Sequence, residues 1–171
     1  MPPVKPIRGI QLNRTHPLAK ALIGCWLFNE GSGDRVSDLS GNRRTGTLVN
    51  GASWTAGLRG SVVDCDSAGS EYTDLGSGAF VEGLPAVSVS MWANIRSTAT
   101  IQRLLSQTNC IDLYWNTNNF LYFGVSNDSG VYVTGYISSF TPVAGDWHHF
   151  VGTYDGAKVR VFVDCVVGSG I

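Results

Sequence analysis

The sequence predicts an all-β protein in which two antiparallel sheets pack as a β-sandwich. Charged residues make up only 15 % of the 171 residues, while the chain holds 21 Gly, five Trp, six Tyr and seven Phe. This composition suits half-buried pleated surfaces that are joined by tight turns. Short apolar runs also alternate with turn clusters at a spacing of roughly 8–12 residues, which is typical of sandwiches and barrels.

Each predicted strand is an apolar, β-branched or aromatic run bounded by Gly, Asn, Asp or Ser. In chain order the runs are residues 21–28, 45–49, 61–65, 71–75, 86–95, 103–107, 110–115, 119–125, 130–137, 147–154 and 158–164. Side chains alternate between two faces along a strand. The predicted inward face of 86–95 holds Val87, Val89, Met91, Ala93 and Ile95. That of 158–164 holds Val159, Val161 and Val163, and that of 130–137 holds Val131, Val133 and Ile137. One buried and one exposed face per strand is what two packed antiparallel sheets require.

The adjacent histidines in "GDWHHFVGTYDG" (145–156) raise the question of a metal site. Neighbouring residues on a strand point to opposite faces, so His148 and His149 cannot chelate one ion from a regular strand. We therefore expect structural roles for both. The Asp–Gly pair at 155–156 predicts a hairpin turn between the last two strands.

Residues 1–19 are predicted to be an extended N-terminal leader, followed by the sandwich domain over 20–171. Prolines at positions 2, 3 and 6 disfavour helix. Residues 1–29 carry Lys5, Arg8, Arg14 and Lys20 and no acid, which indicates either a solvated segment or an arm that docks on an acidic partner. We expect no signal peptide, so synthesis would be cytoplasmic, with action at an extracellular or virion surface after export or assembly.

The net charge, the apolar stretches and the cysteines of the sequence indicate which partners and which redox state to expect. The formal net charge of −1 gives no field that favours nucleic acid. No apolar stretch approaches the ~20 residues of a membrane span. The four cysteines are expected to be free thiols, with Cys65 a small core residue on the face of Val63.

Four segments carry a resemblance to a known family. They are "LIGCWLFNEGSGDRVSDLSGNRRTGTL" (22–48), "DCDSAGSEYTDLG" (64–76), "AVSVSMWANI" (86–95) and "WHHFVGTYDGAKVRVFVD" (147–164). Together, and in this order, they resemble laminin-G-like, concanavalin A-like jelly-roll domains. The resemblance implies a jelly-roll sandwich and a lectin-like, carbohydrate-binding role.

The chain departs from the family pattern in two places. Cys165 stands where family members have Gly after Val-Asp, in a turn that needs positive φ. Family domains also continue for further strands, whereas this sequence stops at Ile171. The domain is therefore predicted to be either truncated or completed by a partner, and an open sheet edge would favour a homo-oligomer.

Hydrolases occur on related folds, so catalysis must be considered. A glycosidase needs two carboxylates across the scissile bond. The chain has only Glu30, Glu71 and Glu82 as glutamates, without the required spacing, and lacks the common nucleophile and phosphate-loop motifs. We expect no enzyme activity.

A structural calcium ion is a further prediction. Calcium accepts Asp, Asn and carbonyl oxygens from loops. The candidate ligands are Asp34, Asp38, Asn42 and Asp66. The alternative is that these residues simply form turns.

The outward-facing aromatic residues indicate the function best. The candidate ligand-binding residues are Trp92, Tyr114, Tyr122, Tyr132, Tyr136 and Arg160. Aromatic faces beside hydrogen-bonding groups suit sugar rings. The alternatives are cross-strand aromatic pairing and cover of these side chains by residues 1–20. The favoured function is a non-catalytic module that recognises carbohydrate on a cell or particle surface. The alternative is an assembly protein, for example a phage virion surface or decoration component, whose partner is a protein surface.

Overall fold

The computed structural model describes residues 5–6, 9–57, 59–126, 131–138, 140 and 142–168. Within them the chain forms 13 strands and three short 3-10 helices, and no α-helix. The strands are β1 (Arg35–Val36), β2 (Gly46–Val49), β3 (Ser53–Gly57), β4 (Gly60–Asp64), β5 (Tyr72–Asp74), β6 (Val87–Asn94), β7 (Gln102–Gln107), β8 (Ile111–Trp115), β9 (Leu121–Ser126), β10 (Tyr132–Ile137), β11 (Trp147–Tyr154), β12 (Val159–Val163) and β13 (Val166–Val167). The 3-10 helices are Pro17–Ala19, Ser67–Gly69 and Ala79–Val81. The predicted all-β class is confirmed.

The chain divides into two compact units, Met1–Phe80 and Val81–Ile171. The first unit contains the antiparallel sheet β1-β2-β5 and the hairpin β3-β4. The Lys5 ammonium donates to the carbonyls of Phe28 at 2.7 Å and Ser61 at 2.6 Å. Residues 1–4 and 7–8 of the predicted leader lie outside the described residues, and its described part includes the helix Pro17–Ala19.

The predicted strand at 21–28 is wrong, because this segment makes only one β-bridge, between Trp26 and Asp38. Besides a backbone hydrogen bond from the Leu39 N–H to the Cys25 carbonyl at 2.8 Å, side chains hold this segment in place of a ladder. The Asp38 carboxylate accepts from the Cys25 N–H at 3.0 Å. The Trp26 indole folds back over Gly24, so closely that a Cβ on this glycine would collide with the ring. Phe28 also has a φ of 52°, which ends any extended run.

The second unit is built from two four-stranded antiparallel sheets. We call β10-β9-β8-β7 the front sheet and β13-β12-β11-β6 the back sheet. Their inner faces enclose one hydrophobic core, which includes Trp115, Phe123, Phe150, Val161 and Ile137, all fully buried. This packing forms the predicted sandwich.

In the second unit, buried and exposed side chains alternate along the strands largely as the sequence predicts. In β6 the inward residues are half-buried and Ser88, Ser90, Trp92 and Asn94 are exposed. In β11, Phe150, Gly152 and Tyr154 are buried on the face that His148 shares, while His149 lies on the other face. Two details differ from the prediction. Cys65 is exposed because β4 ends at Asp64, and Val131 is 55 % exposed because it precedes β10.

The turn after β12 forms without glycine. Asp164 and Cys165 have φ values of 48° and 69°, so both occupy the left-handed region that a two-residue hairpin turn requires. The Asp164 carboxylate stabilises this turn by accepting from the His149 N–H at 2.9 Å and contacting His148 Nδ1 at 2.7 Å. The chain then pairs β13 with β12.

Gly152 on the back sheet sets how closely the two sheets approach. A Cβ at this position would overlap ring atoms of Phe123 on the front sheet. The Phe123 ring therefore lies directly on the Gly152 backbone, and both residues are fully buried or nearly so. Interiors packed to this density do not accept an extra methyl group without movement.

Gly152→Ala should lower the free energy of unfolding by about 1–3 kcal/mol, because the new methyl group overpacks the core. Urea denaturation measures the change. As a control, Phe123→Leu in the Gly152→Ala chain should destabilise less than Phe123→Leu alone, because the smaller side chain leaves room for the methyl group. Strictly additive losses, or a Gly152→Ala chain as stable as the native one, would contradict this account of the interface.

Candidate functional site

A row of aromatic side chains crosses the outer face of the front sheet. Tyr114, Tyr122 and Tyr136 lie opposite one another on β8, β9 and β10. The Tyr114 and Tyr122 rings stack at 5.2 Å, Phe120 stacks on Tyr136 at 5.1 Å, and Tyr122 tilts against Tyr136 at 5.8 Å. These rings stand beside one another and cover much of each other's faces. The row therefore shows the cross-strand aromatic pairing that the sequence left open.

Tyr132 presents its ring differently. A Cβ on Gly124 would overlap the hydroxyl and ring atoms of Tyr132, so the ring lies flat over the glycine backbone. The residue is still 45 % exposed. Burial of the inner face raises the pKa of Tyr132 to about 12, and the Asp112 carboxylate adds to the shift. The hydroxyl thus remains protonated at neutral pH.

Charged groups border this ring. Arg103 Nε lies 3.5 Å from Asp112 Oδ2, with the Arg103 side chain 59 % exposed and the Asp112 side chain 16 % exposed. The Arg103 guanidinium also lies 5.8 Å from the centre of the Tyr114 ring. Burial raises the pKa of Asp112, although Arg103 and the Ser106 hydroxyl oppose the shift. We call Tyr132, Gly124, Asp112, Arg103 and Tyr114 the tyrosine platform.

The remaining predicted ligand-binding residues lie on the back sheet. Trp92, on β6, is 41 % exposed and stacks on His149 at 5.2 Å, and Ser90 Oγ lies 2.8 Å from His149 Nε2. Arg160, on β12, donates to the Asp155 carboxylate at 2.6 Å. The structure therefore brings the four tyrosines together on the front sheet and places Trp92 and Arg160 on the outer face of the other sheet.

The two adjacent histidines have separate structural contacts. His148 is largely buried and holds the Asp164 turn, with the edge of its ring against Phe140 at 4.9 Å. For Asp164, burial opposes ionisation, but the His149 N–H and the His148 side chain outweigh it and lower the pKa. These contacts agree with the structural roles expected from the sequence.

The predicted calcium ligands lie in the first unit, where they make local hydrogen bonds. The Asp38 carboxylate accepts from the backbone N–H groups of Cys25, Ser40 and Arg44 at 2.8–3.0 Å. Burial opposes ionisation of Asp38, but these bonds outweigh it and lower the pKa. The Asn42 amide donates to the carbonyls of Leu22 and Ile23.

The other two candidates are Asp66, which accepts from the Ala68 N–H at 2.9 Å, and Asp34, whose side chain is exposed. Across the described part of the chain, no three His, Cys, Asp or Glu side chains gather as a group that could hold a metal ion. Calcium binding by these loops remains a prediction, which titration with the metal would test.

Sequence reasoning singled out neither Gly124 nor Arg103 of the platform. Gly124 has no role in the sequence prediction beyond its place in a strand, although a glycine inside a strand often marks the close approach of another group. Arg103 is likewise predicted only as part of a strand. Only the strand pairing could have revealed Arg103, because it lies opposite Tyr114 across β7 and β8.

Comparison with known families identifies the fold. Residues 67–169 match the laminin G family model whose description is Concanavalin A-like lectin/glucanases superfamily. The match covers more than half of the chain, so the protein belongs to this family. A comparison with curated proteins finds no match.

Solved structures agree on the fold at low sequence identity. One is an S-layer domain-containing protein from Clostridium thermocellum, with a TM-score of 0.54 and 17 % identity over 86 % of this chain and 71 % of that one. Another is the receptor binding domain of botulinum neurotoxin mosaic serotype C/D, with a TM-score of 0.52 and 12 % identity. The match spans 85 % of this chain but only 37 % of the neurotoxin chain.

The helices of the described ranges are the three short 3-10 segments, and none of them has the length and apolar character needed to span a bilayer.

The raised pKa of Asp112 predicts a pH dependence of stability. The pKa of Asp112 in the folded chain lies above the unperturbed value of 3.8. Between these two pKa values, the folded chain keeps a proton on Asp112 that the unfolded chain releases. The contribution of this carboxyl group to stability is therefore fullest below pH 3.8 and declines as the pH rises through the native pKa. Asp112→Asn removes the decline, so its stability relative to the native chain should rise over that range. Urea denaturation at several pH values tests this, and a constant difference between the two chains would contradict it.

Proposed function

We propose that this chain is a non-catalytic recognition module that binds carbohydrate on the tyrosine platform. The observation that supports the proposal is the Tyr132 ring, which lies flat on Gly124 and is 45 % exposed. Sugar rings present C–H faces that pack on aromatic surfaces and hydroxyl groups that need polar partners. A partly exposed tyrosine ring beside charged groups offers both kinds of contact.

Arg103 and Asp112 supply the polar contacts in this proposal. The exposed guanidinium offers N–H donors in a fixed fork, and the carboxylate beside it accepts hydrogen bonds. Because each group already contacts the other, binding a sugar needs little new ordering of these side chains. The stacked row that begins with Tyr114 would then form one wall of the site.

The same geometry supports a role without catalysis. Hydrolysis of a glycosidic bond needs two carboxyl groups that flank it. The tyrosine platform holds one carboxylate, Asp112, which is already paired with Arg103. Binding without cleavage is the activity that suits this set of residues.

A surface location is part of the proposal. The two similar solved structures carry the names of an S-layer domain-containing protein and a toxin receptor binding domain. One name refers to a surface layer and the other to the binding of a receptor. We infer that this chain likewise presents its platform to glycans on a cell or particle surface.

Removal of the ring tests the site directly. Tyr132→Ala should weaken binding by about tenfold or more, since it deletes the stacking surface. Affinity electrophoresis through gels that contain soluble β-glucan, xylan, mannan or galactan measures retardation of each variant. Trp92→Ala is the matched control, because it removes an exposed aromatic residue from the opposite sheet.

Gly124→Ala provides a second, independent variant. The added methyl group would displace the movable end of the Tyr132 ring while every platform side chain stays in the sequence. We expect a folded protein with weakened binding. If Tyr132→Ala and Gly124→Ala are retarded like the native chain while Trp92→Ala is not, the binding site lies on the back sheet and the proposal fails.

A role in surface assembly is the second candidate function. It is favoured by the sheet edge at β6, where no second neighbouring strand occurs among the described residues. In this role the ligand would be another protein chain. A chain that binds none of the four polysaccharides but forms a defined oligomer would favour it.

A further inference from the structure

Strand β6 forms one edge of the back sheet. All eight of its residues pair with β11, from Val87 opposite Tyr154 to Asn94 opposite Trp147. Over the part of the chain that the structure describes, no strand pairs with its other side. Half of the backbone N–H and C=O groups of an edge strand point away from its neighbour, so they offer a template for one more strand.

Proline, charged residues and bulges, which often protect a sheet edge, are missing from β6. The segment Val87–Asn94 contains no proline and no charged residue. Its pairing with β11 runs through eight consecutive positions without a bulge. The other edges are shorter, with two residues in β13 and six in each of β7 and β10, and the register of β7 shifts between Arg103 and Leu105. Among the described strands of the second unit, β6 is therefore the longest and most regular edge.

We propose that a second copy of this chain adds its β6 to this edge, antiparallel and about a two-fold axis. The pleat allows only registers in which outward residues meet outward residues. The two central registers place Ser90 opposite Ser90 or Met91 opposite Met91 of the second copy. In both, Trp92 lies opposite a serine, Ser88 or Ser90, so a large ring meets a small side chain.

The sequence of the edge favours a second copy over an unrelated partner. A two-fold interface brings the strand against its own sequence, so a charge near the centre of β6 would lie close to the same charge of the second copy. Val87–Asn94 carries none, and this self-pairing meets no repulsion. Trp92 is 41 % exposed beside the edge and would be covered by the added strand. The half-buried inward residues of β6 would continue the apolar face into the second copy.

Light scattering tests the proposal on the full chain. The native chain should have twice the mass of its 18.3 kDa monomer. Ser88→Lys places a charge at the edge, opposite Trp92 or Asn94 of the second copy in the two registers, and should yield the monomer mass. Thr153→Lys is the matched control, since Thr153 faces Ser88 from the internal strand β11, and should leave the dimer intact.

Amide hydrogen exchange provides a readout that needs no substitution. Protection of residues 87–94 should increase with protein concentration, while protection of β9 and β11 should not. A native chain that stays monomeric at every concentration would overturn the proposal. A dimer that survives Ser88→Lys, with no concentration-dependent protection in β6, would also overturn it. Neither result bears on the tyrosine platform, which lies on the other sheet.

Discussion

The contact between Phe123 and Gly152 is the constraint on which the second unit depends. The aromatic ring of one sheet lies on the bare backbone of the other, so the sheets approach closely and the core between them is dense. Gly135 makes a similar approach, since a Cβ there would meet the Val159 side chain and backbone at 3.0–3.1 Å. With the inner faces filled in this way, the pleat sends every alternate side chain outward. The positions of the candidate functional residues follow from that alternation.

The two outer faces that result differ in chemistry. The front sheet carries a flat tyrosine ring beside an arginine and a carboxylate, which suits a polar ligand with apolar ring faces. The back sheet carries Trp92 against His149 and ends at an uncharged strand edge, which suits another strand. A single sandwich can therefore hold a ligand on one face and join a second chain through the other sheet. Glycine has a role on the outer face of the front sheet and in the core, because Gly124 admits the Tyr132 ring and Gly152 admits the Phe123 ring.

Much of the fold could be predicted because the pattern of the second unit has a period of two. That pattern located the long strands and separated His148 from His149, since alternation depends only on neighbouring residues. It failed at residues 21–28, where Asp38 and the Trp26 ring replace ladder hydrogen bonds with side-chain contacts. The period of two also explains why the candidate site could be predicted only in part. Alternation shows that Trp92 and Tyr132 face outward, but sheet membership depends on long-range pairing that single-sequence patterns do not contain.

The central claim is that a sugar binds on the ring of Tyr132 above Gly124. The most direct measurement is a two-dimensional amide NMR titration of the full chain with an oligosaccharide of the polysaccharide that retards it most. The account predicts that the largest shift changes fall on residues 103, 112, 114, 124 and 132, which lie on the outer face of the front sheet. Changes confined to the back sheet around Trp92, or to the loops of the first unit, would contradict it.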